Sequence, residues 1–186
     1  MLKVLVAVIV LLIIIGIAML GKKIVRSLIF RSAKTKNSES IWLEVVTGLV
    51  TVVVAFAYYW RNEPDATIVM WLGVLVFFLG GLLQLICRKQ LNDDRTFEDR
   101  LSSGFEAAQT GIYAKLRYPS KTALLLIILG FSLAMGSWWA VTLLLILFWP
   151  STIYRISQEE QALLDKFGER WLAYKAESKK IMPEIF

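Results

Sequence analysis

Residues 111–160 decide the fold, and they read GIYAKLRYPSKTALLLIILGFSLAMGSWWAVTLLLILFWPSTIYRISQEE. Within them, residues 122–154 carry no charge, whereas charged residues stand on both sides of that run. One helix of this length would extend about 50 Å, which is too long for a single untilted crossing of a hydrocarbon core about 30 Å thick. Gly130 and Gly136 interrupt the run, so we predict a helical hairpin over 122–154 that brings its two polar ends to the same side of a membrane.

The remainder of the sequence is also typical of an integral membrane protein. Of its 186 residues, 57% are hydrophobic, and three more apolar stretches occupy residues 4–21, 41–60 and 66–87. Lipid offers no partner for backbone polar groups, so each stretch is expected to be a helix. The first stretch is longer than the apolar core of a signal peptide and is interpreted as a retained anchor. The sequence therefore predicts an all-α integral membrane protein with five transmembrane helices, of which the last two form the hairpin.

We expect one membrane domain over residues 1–186. Residues 1–87 form a three-helix scaffold, and residues 88–186 hold a loop, the hairpin and a C-terminal cytoplasmic helix. That last helix is predicted over 157–177, with Ser157 as its N-cap. Its amphipathic character follows from apolar side chains at helical spacing, namely Leu163, Leu164, Phe167, Trp171 and Tyr174.

The distribution of basic residues predicts the orientation. Nineteen of the 21 lysines and arginines fall in residues 21–40, in residues 88–121 or in the tail from residue 155 onward. Basic residues favour the cytoplasmic side, so the N-terminus is predicted outside and the C-terminus in the cytoplasm. The net charge of +6 indicates attraction to anionic membrane lipids. No basic-aromatic module accompanies this charge, so nucleic acid is not an expected partner.

Several kinds of chemistry are excluded by the residues present. The chain has no histidine and a single cysteine, Cys87, which rules out histidine-based triads and ordinary zinc sites; we expect no metal. No phosphate-binding glycine loop follows a strand pattern. Glu44 is the only charged residue inside a predicted span. It has two interpretations, an interfacial acid that reaches water or a basic loop residue, or a member of a polar cavity.

Two motifs flank the hairpin and resemble those of a known family. Gly111-Ile112-Tyr113 and Arg117-Tyr118-Pro119 precede it, and after it come Arg155, Glu159-Glu160, Leu163, Phe167-Gly168, Trp171, Tyr174 and Pro183. Over about 88–186, their order and spacing resemble the isoprenylcysteine carboxyl methyltransferase and phospholipid N-methyltransferase family. The resemblance implies a five-helix enzyme that binds S-adenosylmethionine at the cytoplasmic side. A lipid-like or prenylated acceptor, a carboxyl or an amine, would enter from the surrounding membrane lipids.

The resemblance also implies roles for individual residues. Arginines hold carboxylates bidentately, and glutamates accept ribose hydroxyls or face a positive sulfonium. A carboxylate acceptor is already nucleophilic, whereas an amine acceptor must lose a proton to a glutamate. On this basis the expected catalytic residues are Arg155 and Glu160, and the expected cofactor-binding residues are Tyr113, Arg117, Tyr118, Pro119 and Glu159.

Three positions depart from the family pattern, and they leave other functions open. Tyr118 stands where the family has its motif histidine, Lys121 where it has a tyrosine, and Phe105 where a further histidine is common. A catalytically degenerate relative that serves as a membrane scaffold is one alternative. A membrane reductase that uses a nicotinamide cofactor is another, because some sterol reductases end in a similar motif. Taken singly, Pro119 also fits a plain helix start.

Overall fold

The structure is a computed structural model that describes residues 38–65, 67–90, 111–114 and 116–178. These residues form helices joined by turns. The helices are α1 (Ser38–Asn62), α2 (Ile68–Gln90), α3 (Pro119–Ala134), α4 (Trp138–Phe167) and α5 (Glu169–Glu177), with a 3-10 turn at Gly111–Ala114 before α3.

Three of the described helices are long and apolar enough to cross a membrane. They are α1 from Glu39, α2 and α4, with 24, 23 and 30 residues, whereas the apolar helix α3 has only 16. The predicted all-α membrane protein is confirmed to this extent. The predicted first helix, residues 4–21, lies outside the described residues, so the count of five stays a prediction.

The predicted hairpin is formed by α3 and α4. Its turn is built at Gly136, whose φ of +64° lies in the left-handed region that favours glycine. Ser137 then caps α4, since its hydroxyl accepts a hydrogen bond from the backbone N–H of Ala140 at 3.3 Å. Behind the turn the two helices pack through a cluster of apolar side chains from both, comprising Tyr118, Leu125, Ile128, Leu144, Phe148 and Ile156.

The predicted helix over 157–177 is wrong in its start. Helix α4 continues without a break to Phe167, including a π-helical segment at Leu144–Phe148. Ser157 is therefore no N-cap, and its hydroxyl donates to the carbonyl of Ile153 at 3.1 Å inside the helix. The break comes instead at Gly168, whose φ is +53°, and α5 follows it.

Glycines allow α2 and α3 to pack backbone against backbone. A Cβ added at Gly73 would lie 2.4 Å from the backbone N of Ala134, and one at Gly130 would lie 2.3 Å from that of Phe77. Such close approach is typical of helix pairs in lipid. The hydrophobic effect does not drive helices together there, and small residues allow close van der Waals packing instead. The contacts show that α2 and α3 run antiparallel.

We expect Gly130→Ala to destabilise the protein, because the new methyl group meets the backbone of α2. Overpacking of this kind costs about 1–3 kcal/mol. Gly81→Ala is the matched control, since a Cβ there has nothing within 4 Å. Thermal unfolding of the detergent-purified variants should show a melting temperature several degrees lower for Gly130→Ala alone. Equal melting temperatures for both variants would contradict the close packing of α2 on α3.

Candidate functional site

Buried charged side chains converge at one end of the helix bundle. This polar end is formed by the first turns of α1, the start of α3 and the C-terminal half of α4. Nine buried charged or aromatic residues there were singled out by the sequence or its resemblance, namely Glu44, Tyr113, Arg117, Tyr118, Lys121, Arg155, Glu160, Trp171 and Tyr174. The charged residues among them fall into two neighbouring clusters.

The first, here called the Glu44 cluster, contains Glu44, Lys121, Thr152, Arg155 and Glu159. Lys121 Nζ donates to both carboxylate oxygens of Glu44, at 2.8 and 2.6 Å. Arg155 Nη1 donates to Glu44 Oε2, and its Nε donates to Glu159 Oε1 at 3.0 Å. Thr152 Oγ1 lies 3.4 Å from Glu44 Oε1. One carboxylate from α1 thus joins α3 and α4.

The contacts of Glu44 agree with one half of the interfacial interpretation, a basic loop residue as partner, but not with the other half, access to water. The residue is only 2% exposed, so its carboxylate does not reach water. It has two basic partners instead, and one of them, Lys121, comes from the segment predicted as a loop. A buried carboxylate is costly unless it is paired and hydrogen-bonded. Lys121 and Arg155 provide that pairing here.

Glu44→Gln should lower stability by about 3–5 kcal/mol, since it leaves the two cations buried without their shared carboxylate. Removal of one of those cations in Glu44→Gln/Lys121→Met should recover a large part of the loss. Glu39→Gln is the control, because Glu39 is an exposed acid on the same helix. The measurement is thermal or denaturant unfolding in detergent. A Glu44→Gln variant as stable as Glu39→Gln would show that the ion pairs contribute nothing.

The second cluster, here called the Arg117 cluster, contains Arg117, Glu160 and Lys175. Arg117 Nη1 lies 3.0 Å from Glu160 Oε1, and Lys175 Nζ lies 3.2 Å from Glu160 Oε2. Arg117 is 4% exposed, yet its Nε and Nη1 make no hydrogen bond within the described residues. The contact with Glu160 is therefore an ion pair whose N–H is not aligned for a hydrogen bond. Buried N–H groups of this kind are suited to a further acceptor.

Helix α5 contributes Lys175 to the Arg117 cluster and is held in place by two buried aromatic side chains. Trp171 and Tyr174 are each 1% exposed and pack with Leu163 of α4. The Tyr174 hydroxyl donates to the backbone carbonyl of Tyr113 at 2.7 Å, which links α5 to the 3-10 turn. The break at Gly168 allows α5 to turn back over this end of the bundle.

The two buried tyrosines at this end stay protonated. Burial raises the pKa of Tyr174 to about 12. Burial, and then the negative charges of Glu159 and Glu160, raise the pKa of the Tyr118 phenol well above its usual range. Both side chains are therefore neutral hydrogen-bond donors at physiological pH.

We expect the Tyr174 phenol to ionise with its midpoint near pH 12 in the folded protein. Its signal is the ultraviolet absorbance change that wild type shows and Tyr174→Phe lacks. An unfolded tyrosine ionises near 10. The folded state thus holds the proton more tightly, and the contribution of Tyr174 to stability falls only as the pH rises above about 10. An ultraviolet titration of wild type and Tyr174→Phe in detergent checks this, with Tyr154→Phe, half exposed, as the control. A Tyr174 signal with its midpoint near 10 would contradict the burial of the Tyr174 phenol.

The structure brings the residues predicted from the sequence to one end, but not into a single contact set. Arg155 and Glu159 belong to the Glu44 cluster, whereas Arg117 and Glu160 form the other, and Pro119 is the buried first residue of α3. No sequence motif includes Thr152 or Lys175, although Lys175 directly follows Tyr174 of the apolar stripe. Phe105 lies outside the described residues.

The fold and the buried ionic clusters define an all-helical membrane protein with a polar site at one end. A family model described as phospholipid methyltransferase matches residues 68–170. The chain belongs to this family of membrane methyltransferases, and the match supports the resemblance drawn from the flanking motifs. A second model, of a family of unknown function (DUF2627), matches residues 3–60. Neither the curated proteins nor the solved structures give a significant match.

Proposed function

We propose that the protein is an S-adenosylmethionine-dependent methyltransferase that acts on a lipid-like or prenylated acceptor in the membrane. Membership of the methyltransferase family supports the reaction class. The observation that carries the proposal is the buried guanidinium of Arg117, whose Nε and Nη1 lack hydrogen bonds among the described residues. The Arg117 cluster joins the two polar segments on either side of the hairpin, where the sequence motifs lie.

The donor set of the Arg117 cluster fits the cofactor. S-adenosylmethionine carries a carboxylate, an ammonium group, a sulfonium and ribose hydroxyls. Arg117 would hold the carboxylate through charge-assisted hydrogen bonds. Glu160 would face the positive groups or accept the ribose hydroxyls. Tyr113 and Tyr118, with Pro119, would line the adenosine, and Glu159 would complete the set of acceptors.

The bound cofactor supplies a methyl group on a positively charged sulfur, and transfer is an in-line displacement. The protein needs mainly to position the acceptor and to exclude water. Helix α5, held by Trp171 and Tyr174, would exclude water from the Arg117 cluster. Arg155, fixed between two carboxylates, would orient the acceptor through its remaining N–H groups. No residue needs to form a covalent bond.

The acceptor determines whether a base is required. A carboxylate attacks without proton removal, so Arg155 would only position it. An amine must first lose a proton to a carboxylate. The Glu159 side chain is 31% exposed and that of Glu160 is 9% exposed. Glu159 is therefore the more accessible proton acceptor, while Glu160 would act on the positively charged cofactor.

We further propose that the polar end faces the cytoplasm. The basic segments 21–40 and 88–121 and the tail all adjoin this end of the bundle along the chain. The chain would then have five crossings, with residues 4–21 as the first and the N-terminus outside.

The proposal predicts micromolar binding of S-adenosylmethionine and S-adenosylhomocysteine to the detergent-purified protein, measured by calorimetry. Arg117→Gln should weaken binding about 10- to 100-fold, the effect of a hydrogen bond to a charged group worth about 1.5–3 kcal/mol. Glu160 keeps Lys175 in this variant, so the fold is expected to survive. Arg170→Gln, an exposed arginine on α5, is the matched control and should bind as wild type does.

Transfer is tested with methyl-labelled S-adenosylmethionine and the protein in vesicles, by following label into the lipid fraction. A folded, monodisperse wild-type sample that binds neither ligand would refute the proposal. Such a result would favour the scaffold alternative, and binding of a nicotinamide cofactor instead would favour the reductase alternative.

A further inference from the structure

We propose that Glu44 is a positioning residue of the active site, which fixes the guanidinium of Arg155 for methyl transfer. The inference rests on the proposed function and adds a residue that the family match does not cover. The methyltransferase model begins at residue 68, whereas Glu44 lies within residues 3–60, matched only to a family of unknown function. Helix α1 would thus be part of the catalytic unit.

The geometry of Arg155 carries the inference. Two carboxylates hold its guanidinium on two different nitrogens, Glu44 on Nη1 and Glu159 on Nε. A planar guanidinium held at two points has a fixed plane, which leaves Nη2 outside both ion pairs in a defined direction. Glu159 is on the same helix four residues away, so it alone cannot set the position of Arg155 relative to the other helices. Glu44 does so from α1.

The surroundings of Glu44 suit a rigid support. The carboxylate is 2% exposed and also receives Lys121 Nζ on both oxygens, with Thr152 Oγ1 nearby. About one helical turn away from Glu44 and Arg155, Thr47 of α1 and Ser151 of α4 share a hydrogen bond of 2.9 Å between their hydroxyls. The polar contacts between α1 and α4 therefore continue past the cluster and hold Glu44 at the level of Arg155.

A structural role alone would give different consequences from a positioning role. If Glu44 only neutralised buried cations, any charge-balanced replacement would restore the protein completely. If it positions Arg155, the balanced replacement restores stability but not the orientation of the guanidinium. Displacement of a group by about 1 Å can cost about 100-fold in rate. Binding of S-adenosylmethionine, assigned to the Arg117 cluster, should change little.

Two variants isolate the contact between Glu44 and Arg155. Lys121→Met removes the lysine and keeps the ion pair between Glu44 and Arg155. Glu44→Gln/Lys121→Met removes the lysine and that ion pair, so the charge of Arg155 is then matched by Glu159 alone. Both lack Lys121, so a difference between them reports on Glu44. Each is purified in detergent for binding measurements and reconstituted in vesicles for transfer.

The first readout is nuclear magnetic resonance of arginine side chains labelled with nitrogen-15, with the Arg155 signals assigned by Arg155→Lys. Resolved Nη signals, which require slow rotation of the guanidinium, should be present in wild type and Lys121→Met. They should merge or shift in the double variant. Unchanged Arg155 signals in the double variant would overturn the proposal, whether or not the protein transfers methyl groups.

The second readout separates turnover from binding. Relative to Lys121→Met, the double variant should lose about 100-fold in kcat for label transfer, with the Kd for S-adenosylmethionine within about threefold. Equal kcat values in an active protein would overturn the role of Glu44 while the proposed function stood. A folded wild type that neither binds nor transfers would refute the proposed function, and the positioning role of Glu44 with it.

Discussion

The burial of one carboxylate in a membrane bundle constrains the arrangement of three helices. Glu44 lies in a helix that otherwise carries apolar residues along most of its length, and lipid-facing positions cannot solvate it. Its charge is matched only where Lys121 of α3 and Arg155 of α4 lie at the same level. A shift of α1 along its axis by one turn would separate the carboxylate from both cations. The ion pairs thus select one register among several that apolar packing alone would permit.

Helix α4 carries residues of both clusters and so fixes their relative position. Thr152, Arg155 and Glu159 recur at intervals of three and four residues and so share one face. Glu160, one residue on, faces Arg117 and Lys175 instead. The two clusters are therefore held at a fixed relation by a single uninterrupted helix. Had the helix broken near Ser157, as the sequence suggested, Arg155 would have been separated from both glutamates, and the two clusters would move independently.

The sequence predicts those parts of the structure that depend on neighbours along the chain. The hairpin follows from the length of the uncharged run and from Gly136. The start of the last helix was wrong because Ser157 suits a cap only if the helix begins there, and nothing before Gly168 ends α4. The partners of Glu44 could not be predicted from the sequence for another reason. Lys121 and Arg155 are 77 and 111 residues away, so their contact depends on packing of whole helices.

The same contacts change the meaning of the departures from the family motif. Lys121 replaces a tyrosine of the motif, and by itself it suggests a new positive charge beside a cofactor pocket. In the structure that charge is matched by Glu44 and does not enter the Arg117 cluster. Tyr118, in place of the motif histidine, remains a neutral donor because its pKa is raised. Neither departure therefore adds a hydrogen-bond acceptor for Nε and Nη1 of Arg117, which make no hydrogen bond within the described residues. Under the proposed function, these are the N–H groups that would hold the cofactor.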